Sequence, residues 1–255
     1  MRAIASSNPL LKGIIDRIDF NATTHGQRDL DDDRLSNLIE AISTKRLGLK
    51  DIEADIIGKS YENLIRKFAE GGGQSAGEFY TPGEVSEIMA RVLQPEPGME
   101  IYDPTCGSGG LIIKCELAMQ ELQRAAGENN YAPLKLFGQE YVPESWAMAN
   151  MNMIIHDMEG QIEIGDTFKN PSSVQKRAAN SAHSIVSVLF LNRVKPKNRQ
   201  GQVYLVNASQ IFEKGDPKNF IPEASIQRIT AILIGWQEEE KLSRIVDLKE
   251  LKTND

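Results

Sequence analysis

The amino-acid sequence predicts an α/β fold preceded by an N-terminal helical region, and three observations indicate it. Residues 99–123 run from a short apolar strand through a glycine-rich turn into an amphipathic helix. Two further apolar stretches, 134–139 and 161–164, are separated by a helical pattern over 143–156. Before residue 70, apolar side chains recur at helical spacing. Strands that alternate with helices are typical of an α/β sheet.

The N-terminal region is predicted to contain helices over residues 10–20, 33–42 and 54–68. Asp33 is the predicted N-cap of the second of these helices. The polar, acid-rich stretch 21–33 is predicted to be a loop. We expect the apolar faces of all three helices to pack into a core.

Composition limits the classes of protein to which the chain can belong. It has 255 residues, 40% of them hydrophobic, and a net charge of −7. This charge argues against a chain that binds DNA unaided over its whole surface, but it allows DNA contact shared with a more basic partner. Two cysteines are too few for a disulfide framework, and no signal peptide or membrane-spanning stretch is evident, so we expect a cytoplasmic protein without membrane contact. The three histidines show no metal-binding spacing.

The glycine-rich turn is the strongest candidate for a ligand site. It comprises Asp103-Pro-Thr-Cys-Gly-Ser-Gly-Gly110, between the first strand and its helix. Such a turn presents backbone N–H groups to a ligand, although glycine-rich turns are also common without one. The dinucleotide fingerprint fails, because Ile112 occupies the position of its third glycine. Asp103, four residues before Gly107, favours a ligand that places an amine or cation beside the turn.

Two acids follow the next two strands. Glu140 is well placed to accept the hydroxyls of a ribose, although a charge at a helix start is the alternative. Asp166 lies in Gly165-Asp-Thr-Phe168 and is otherwise an ordinary turn residue. Upstream, Thr81 is the predicted cap of a helix that has Pro82 in its first turn and Glu84 completing a capping box. An aromatic anchor and a helix start would also explain that segment.

Two of these stretches resemble motifs of one protein family. Residues 103–110 resemble the first motif of S-adenosylmethionine-dependent DNA adenine-N6 methyltransferases. Residues 77–82, Gly-Glu-Phe-Tyr-Thr-Pro, resemble the cofactor motif upstream of it in the methylation (M) subunits of type I restriction–modification systems. The resemblance implies a Rossmann-like methyltransferase sheet and S-adenosyl-L-methionine as cofactor. The cofactor-binding residues that it implies are Glu78, Phe79, Tyr80, Thr81, Pro82, Gly83, Asp103, Thr105, Cys106, Gly107, Gly109, Glu140 and Asp166.

The sequence departs from the family where catalysis takes place. The family requires Asn or Asp, then Pro-Pro and an aromatic, to hold the amino group of an adenine flipped out of the duplex. The sequence lacks this motif: Asn8-Pro9 lies in the wrong place, and Asn170-Pro171 lacks the second proline and the aromatic, so we expect a loop there. No catalytic residue is therefore identifiable.

The part of the sequence after Asn170 resembles the end of the family's catalytic domain. Residues 185–192 and 202–207 are predicted as a hairpin joined by a basic turn, and 221–240 as a helix. The two central strands of the family, which carry the missing motif, have no counterpart between 170 and 184. The predicted sheet is thus incomplete, and low stability or oligomerisation is expected.

The predicted organisation is an N-terminal helical region (1–76), a methyltransferase-like α/β domain with the cofactor motifs (77–210) and a C-terminal helical tail (211–255). The resemblance implies a DNA adenine-N6 methyltransferase subunit that works with DNA, a specificity (S) subunit and a restriction (R) subunit. One alternative is a non-catalytic remnant that binds the cofactor or the specificity subunit. A nicotinamide-dependent oxidoreductase is disfavoured by Ile112, and a purely structural adaptor leaves the cofactor motifs unexplained.

Overall fold

The structure is a computed structural model, and it divides the chain into two compact units. It describes residues 1–17, 19–45, 54–71, 81–170, 195–215 and 219–253. The first unit takes 1–81, 100–113 and 135–172, and the second takes 82–99, 114–134 and 173–255. The three domains predicted from the sequence stay a prediction.

The first unit contains the predicted parallel sheet. Strands β3 (Glu100–Asp103), β4 (Lys135–Glu140) and β5 (Gly160–Ile164) pair in that order. All pairs are parallel, so the strands end at one edge of the sheet. The α/β prediction is confirmed. The first strand was expected to be buried, but β3 is only partly buried, because it is an outer strand in the described part of this sheet.

Two helices follow the strands at the predicted places. Helix α5 (Gly110–Ala125) begins directly after the glycine turn, and helix α6 (Pro143–Ile155) connects β4 to β5. Helix α6 packs against the sheet, where the indole N–H of Trp146 donates to the carbonyl of Ile162 at 2.7 Å. Gly160 accommodates this helix closely, since a Cβ there would lie 1.8 Å from Cε of Met153.

The helix predicted over 10–20 is wrong. After helix α1 (Arg2–Ser7), the chain forms two short 3₁₀ turns, Pro9–Leu11 and Ile15–Arg17. Gly13 separates these turns with a φ of +80°, a value that interrupts an α-helix and that glycine adopts without strain. The predicted packing holds only in part: Ile14 and Ile15 form a buried cluster with Ala5 against α6, but Leu10 is exposed.

The loop predicted over 21–33 contains a small hairpin, which the sequence reasoning missed. Strands β1 (Thr23–Thr24) and β2 (Gln27–Arg28) pair antiparallel. His25 and Gly26 connect them with φ values of 55° and 80°, the backbone that a two-residue hairpin turn requires.

Helix α2 (Asp32–Ser43) is capped by Asp31, whose side chain accepts from the N–H of Arg34 at 2.7 Å. The predicted cap, Asp33, is wrong because it already lies within the first turn. The predicted packing of this helix also fails at three of its apolar positions: Leu38, Ile39 and Ile42 are 53%, 58% and 49% exposed.

Helix α3 (Ala54–Gly71) forms where predicted and contacts α6. Ile65 is buried as expected, but Leu64 is exposed. The Tyr61 hydroxyl donates to the carbonyl of Met148 at 3.4 Å, and burial raises the pKa of Tyr61 to about 12. Gly58 allows the close approach, since a Cβ there would lie 2.5 Å from the His156 ring.

The second unit combines helices with an antiparallel strand pair. Helix α4 (Gly83–Leu93) contacts helix α7 (Glu223–Gly235), and Arg91 of α4 forms ion pairs with Glu87 at 2.8 Å and Glu223 at 2.7 Å. The helix predicted over 221–240 is too long, because the backbone turns left-handed at Trp236, with a φ of 54°.

Strands β6 (Gln202–Val206) and β7 (Ser243–Asp247) pair antiparallel, and helix α8 (Leu248–Thr253) follows. The strand predicted over 185–192 lies outside the described residues, so the predicted hairpin stays a prediction. Among the described residues, the structure has no helix of the length and apolarity that a membrane span requires.

Candidate functional site

The glycine turn joins the end of β3 to the start of α5. Gly107 and Gly109 have φ values of +53° and +77°, the left-handed region in which other residues are strained. A Cβ on Gly109 would also lie 3.4 Å from the Cβ of Ala149. The N–H of Gly109 donates to the carbonyl of Cys106 at 2.8 Å, and its own carbonyl accepts from Ile113, which connects the turn to the helix. The positive φ values at these two positions therefore favour glycine over other residues.

Asp103, at the end of β3, stabilises the start of this turn. Its Oδ1 accepts a hydrogen bond from the backbone N–H of Thr105 at 3.0 Å. Asp103 is partly buried, and Thr105 is exposed at the outer side of the turn. The carboxylate thus lies beside the turn. That it faces an amine or cation of a ligand stays a prediction.

Cys106 packs beneath the turn. Its N–H donates to the carbonyl of Gln139 at 3.0 Å, and its side chain is buried. Burial raises the pKa of the Cys106 thiol far above its usual range, and the negative charges of Asp103 and Glu140 raise it further. The raised pKa favours the protonated thiol at neutral pH.

Glu140, at the end of β4, connects two loops through its side chain. It is only 8% exposed. Its Oε2 accepts from the N–H of Gly107 at 2.8 Å, and its Oε1 accepts from the N–H of Val142 at 2.8 Å. Its backbone carbonyl accepts from Gly165 at 2.9 Å, in the loop after β5. Each carboxylate oxygen has a further lone pair, so the side chain can also accept hydrogen bonds from a ligand.

Asp166 lies in the loop after β5. Its Oδ1 accepts from the N–H groups of Phe168 at 2.9 Å and Lys169 at 3.2 Å. Its Oδ2 lies 3.5 Å from the Lys169 ammonium. Desolvation alone would raise the pKa of Asp166, but the two N–H donors and the Lys169 side chain outweigh it and lower that pKa below its ordinary value. Asp166 is therefore ionised and acts as an acceptor.

Sequence reasoning missed several residues that order these loops. The buried side chain of Gln139 accepts from the Tyr102 hydroxyl at 3.2 Å and donates to the carbonyl of Asn170 at 2.8 Å. The Thr167 hydroxyl donates to the carbonyl of Pro104. The available signal in the sequence was that Gln139 is a polar residue near the end of an apolar strand. These contacts hold the loops after β3 and β5 together.

Two exposed aromatic side chains also border the site. Tyr141 follows Glu140 and is 68% exposed, and Phe168 follows Asp166 by two residues and is 94% exposed. The signal in the sequence was an aromatic just after each predicted acid. Large apolar rings that lie this open at a loop edge are suited to stacking on a flat ligand.

The structure brings together part of the predicted cofactor-binding set. Asp103, Thr105, Cys106, Gly107, Gly109, Glu140 and Asp166 all lie in the first unit, at the carboxyl ends of β3, β4 and β5. Glu78, Phe79 and Tyr80 lie outside the described residues, and Thr81 is exposed at the end of the first unit.

Pro82 and Gly83 belong to the second unit. There Pro82 is the N-cap of α4 with no side-chain hydrogen bond, so the predicted capping box of Thr81 and Glu84 is wrong. Pro82 has a φ of −50° and a ψ of 135°, outside the helical region, so the helix starts at Gly83, two residues beyond Thr81.

Neither a disulfide nor a metal-binding cluster is evident in the described ranges. Cys106 and Cys115 are both buried free thiols. Within these ranges, no group of three or more His, Cys, Asp or Glu side chains is arranged to hold a metal ion.

Known proteins are similar to this chain in sequence and in fold. The N-6 DNA Methylase family matches residues 52–187 and 180–255. The type I restriction enzyme MjaIX methylase subunit of Methanocaldococcus jannaschii is 34% identical over 158 residues, which cover 62% of this chain and 26% of that protein. The MjaVII methylase subunit of the same organism is 23% identical over 330 residues, which cover 89% of this chain and 56% of that protein.

Among solved structures, the type I restriction-modification system methyltransferase subunit from Streptococcus thermophilus superimposes with a TM-score of 0.74. The match covers 100% of this chain and 73% of that one, at 19% identity, and it supports the fold. The chain spans about a quarter to about half the length of the two curated relatives. The family match extends over most of the sequence, which confirms the resemblance: the chain belongs to the N-6 DNA Methylase family.

Proposed function

We propose that this chain is the S-adenosylmethionine-binding part of a DNA adenine-N6 methyltransferase (M) subunit of a type I restriction–modification system. The observation that carries the proposal is the row of three carboxylates, Asp103, Glu140 and Asp166, after three successive parallel strands. Ligands of open α/β sheets bind at this edge. The family match and the methylase relatives support the same function.

The described residues fit the chemical groups of this cofactor. Asp103 beside the glycine turn suits the ammonium of its methionine part, and Gly107 and Gly109 leave room for close approach. Glu140 retains acceptor capacity for the ribose hydroxyls, and Asp166 for the adenine amino group. Tyr141 and Phe168 are available to cover the adenine ring. When bound, the cofactor supplies an electrophilic methyl group.

We propose that the chain binds the cofactor but does not transfer the methyl group by itself. Transfer requires side chains that hold a flipped adenine, and no Asn- or Asp-Pro-Pro-aromatic motif is present in the sequence. The alignment with the MjaVII methylase subunit runs over 330 residues, more than this chain contains, so part of that relative has no counterpart here. The family matches in two segments, 52–187 and 180–255, which overlap at 180–187, and this supports an internal gap near residue 180.

The partners in this proposal follow from the relatives. They are named as methylase subunits of type I restriction enzymes. The resemblance to that family implies a specificity subunit and a restriction subunit as the partners. DNA is the proposed substrate, and the specificity subunit would read its sequence. A protein that supplies the missing adenine-holding motif, such as a complete methylation subunit, would have to be present for any methyl transfer that involves this chain.

The test is calorimetric titration of the purified chain with S-adenosylmethionine. Asp103→Ala and Glu140→Ala each remove a carboxylate that accepts hydrogen bonds, and each is expected to weaken binding at least about ten-fold, the value of one charge-assisted hydrogen bond. Glu144→Ala, an exposed carboxylate in the first turn of α6, is the matched control and is expected to bind like the wild type. Circular dichroism establishes that each variant is folded.

A folded wild-type chain that does not bind S-adenosylmethionine would contradict the proposal, as would unchanged binding by both site variants. Methyl transfer to DNA is measured in parallel with radiolabelled cofactor. Methyl transfer by the chain alone would refute the proposal that the chain is non-catalytic. It would not contradict the proposed cofactor site.

A further inference from the structure

The turn before β6 concentrates positive charge in an otherwise acidic chain. Lys195, Lys197 and Arg199 alternate along it, and a short 3₁₀ helix spans Lys197–Arg199. We call residues 195–201 the basic turn. None of its three cations forms an ion pair with a carboxylate in the described ranges of the chain.

Three other arginines of the same unit are neutralised by carboxylates. Arg91 pairs with Glu223 at 2.7 Å, and Arg244 pairs with Glu250 at 2.7 Å. Arg228 pairs with Glu239. The basic turn therefore differs from these three arginines, since its charges are available to an external anion although the chain carries a net charge of −7.

The basic turn is held in place by uncharged contacts. The Lys195 ammonium and the Arg199 guanidinium each lie 5.1 Å from the centre of the Trp236 ring, and the Tyr204 ring packs against that indole at 5.0 Å. Cation–π contacts of this kind fix the side chains without cancelling their charge. Within the turn, the Gln200 amide donates to the carbonyl of Lys195 at 3.2 Å. Lys197 is exposed between the two ordered cations.

We propose that the basic turn binds the phosphodiester backbone of duplex DNA. The inference rests on the proposed function, which names DNA as the substrate, and it assigns the surface that contacts the duplex. Ordered cations without carboxylate partners are what a row of phosphates requires, because binding then releases counterions instead of breaking internal ion pairs. The cations offer no specific pattern for base edges, so this contact positions the duplex without reading its sequence.

The test is fluorescence anisotropy of a labelled duplex with the full chain over a series of salt concentrations. The double variant Lys197→Gln/Arg199→Gln removes two cations of the basic turn. We expect its affinity at low salt to fall about ten-fold or more and the slope of log K against log salt to decrease by about two. Lys12→Gln/Lys241→Gln removes the same charge from two exposed lysines elsewhere and is expected to retain the wild-type affinity and slope.

Equal losses in the two double variants, or no binding of duplex by the folded wild-type chain, would overturn the proposal. Tighter binding of a single-stranded RNA than of the duplex would overturn the choice of DNA. The same variants are titrated with S-adenosylmethionine, and we expect unchanged cofactor binding. A failure of the basic turn can thus be distinguished from a failure of the cofactor site.

Discussion

The two acids that follow β4 and β5 differ in how they are held. Glu140 is buried, and its carboxylate accepts from Gly107, which is 33 residues away in sequence, as well as from Val142. Asp166 is more open, and the described contacts of its side chain are with Phe168 and Lys169, within three residues. The first carboxylate therefore links separate loops, whereas the second stabilises only its own loop.

This difference shows that acids at equivalent strand ends need not have the same physical role. Loss of Glu140 removes a contact between the glycine turn and the end of β4, so it is expected to affect both stability and ligand binding. Loss of Asp166 leaves the other loops intact, so its effect should be mainly on the ligand and on the response to pH.

The largest expected effect is at Gly138, which supports the Glu140 side of the site. A Cβ there would lie 2.8 Å from Cδ1 of Ile162 and 2.9 Å from Sγ of Cys106, beneath the glycine turn. We expect Gly138→Ala to lower the free energy of unfolding by about 2–3 kcal/mol through overpacking. Denaturant unfolding measures this loss of unfolding free energy. Gly83→Ala, whose Cβ would meet no atom within 4 Å, is the control, and equal stability of the two variants would contradict the prediction.

Glu140→Gln tests the long-range contact directly. The amide has only one acceptor oxygen, so its NH₂ must face the N–H of either Gly107 or Val142 in a buried position. We expect a loss of about 1–2 kcal/mol in the free energy of unfolding, measured by denaturant titration. Glu144→Gln on the exposed start of α6 should change stability by less than about 0.5 kcal/mol. If Glu140→Gln loses no more than about 0.5 kcal/mol of unfolding free energy, the contact contributes little to stability.

Asp166 is expected to affect how the free energy of unfolding depends on pH. Because its pKa is lowered in the folded protein, ionised Asp166 contributes stability above its ordinary pKa, about 4, and this contribution is lost as the pH falls through the lowered value. Unfolding followed at acidic pH should therefore show a weaker pH dependence in Asp166→Asn than in the wild type. Lys169→Gln keeps both backbone donors and should retain part of the dependence. Identical pH profiles for Asp166→Asn and the wild type would refute this prediction.

The sequence predicted the sheet well because its signals are local. Each described strand of the parallel sheet agrees with its predicted position within about one residue, since apolar runs followed by glycine or acid mark strand ends without reference to distant residues. The two positions at which the glycine turn requires a left-handed backbone, Gly107 and Gly109, were also within the predicted motif.

What sequence reasoning missed depends on backbone conformation or on distant partners. Gly13 interrupts a stretch whose apolar spacing favours a helix. Trp236 ends α7 in a left-handed conformation, which the sequence analysis did not predict. The side-chain contacts of Gln139 join Tyr102 to Asn170, residues that become neighbours only when the sheet has formed. Leu38, Ile39 and Ile42 have the spacing of a packed helix face, yet all three are exposed. Spacing alone does not show whether another element packs against that face.

The Glu140 contact has a consequence for how such sequences evolve. Both of its donors are main-chain N–H groups, and the one at Val142 is available from any residue except proline. Substitution at position 142 therefore preserves the contact, whereas an insertion or deletion between the strand end and either donor would destroy it. In descendants of this sequence, we expect the number of residues from Asp103 to Gly107 and from Glu140 to Val142 to be inherited unchanged while the side chain at 142 varies.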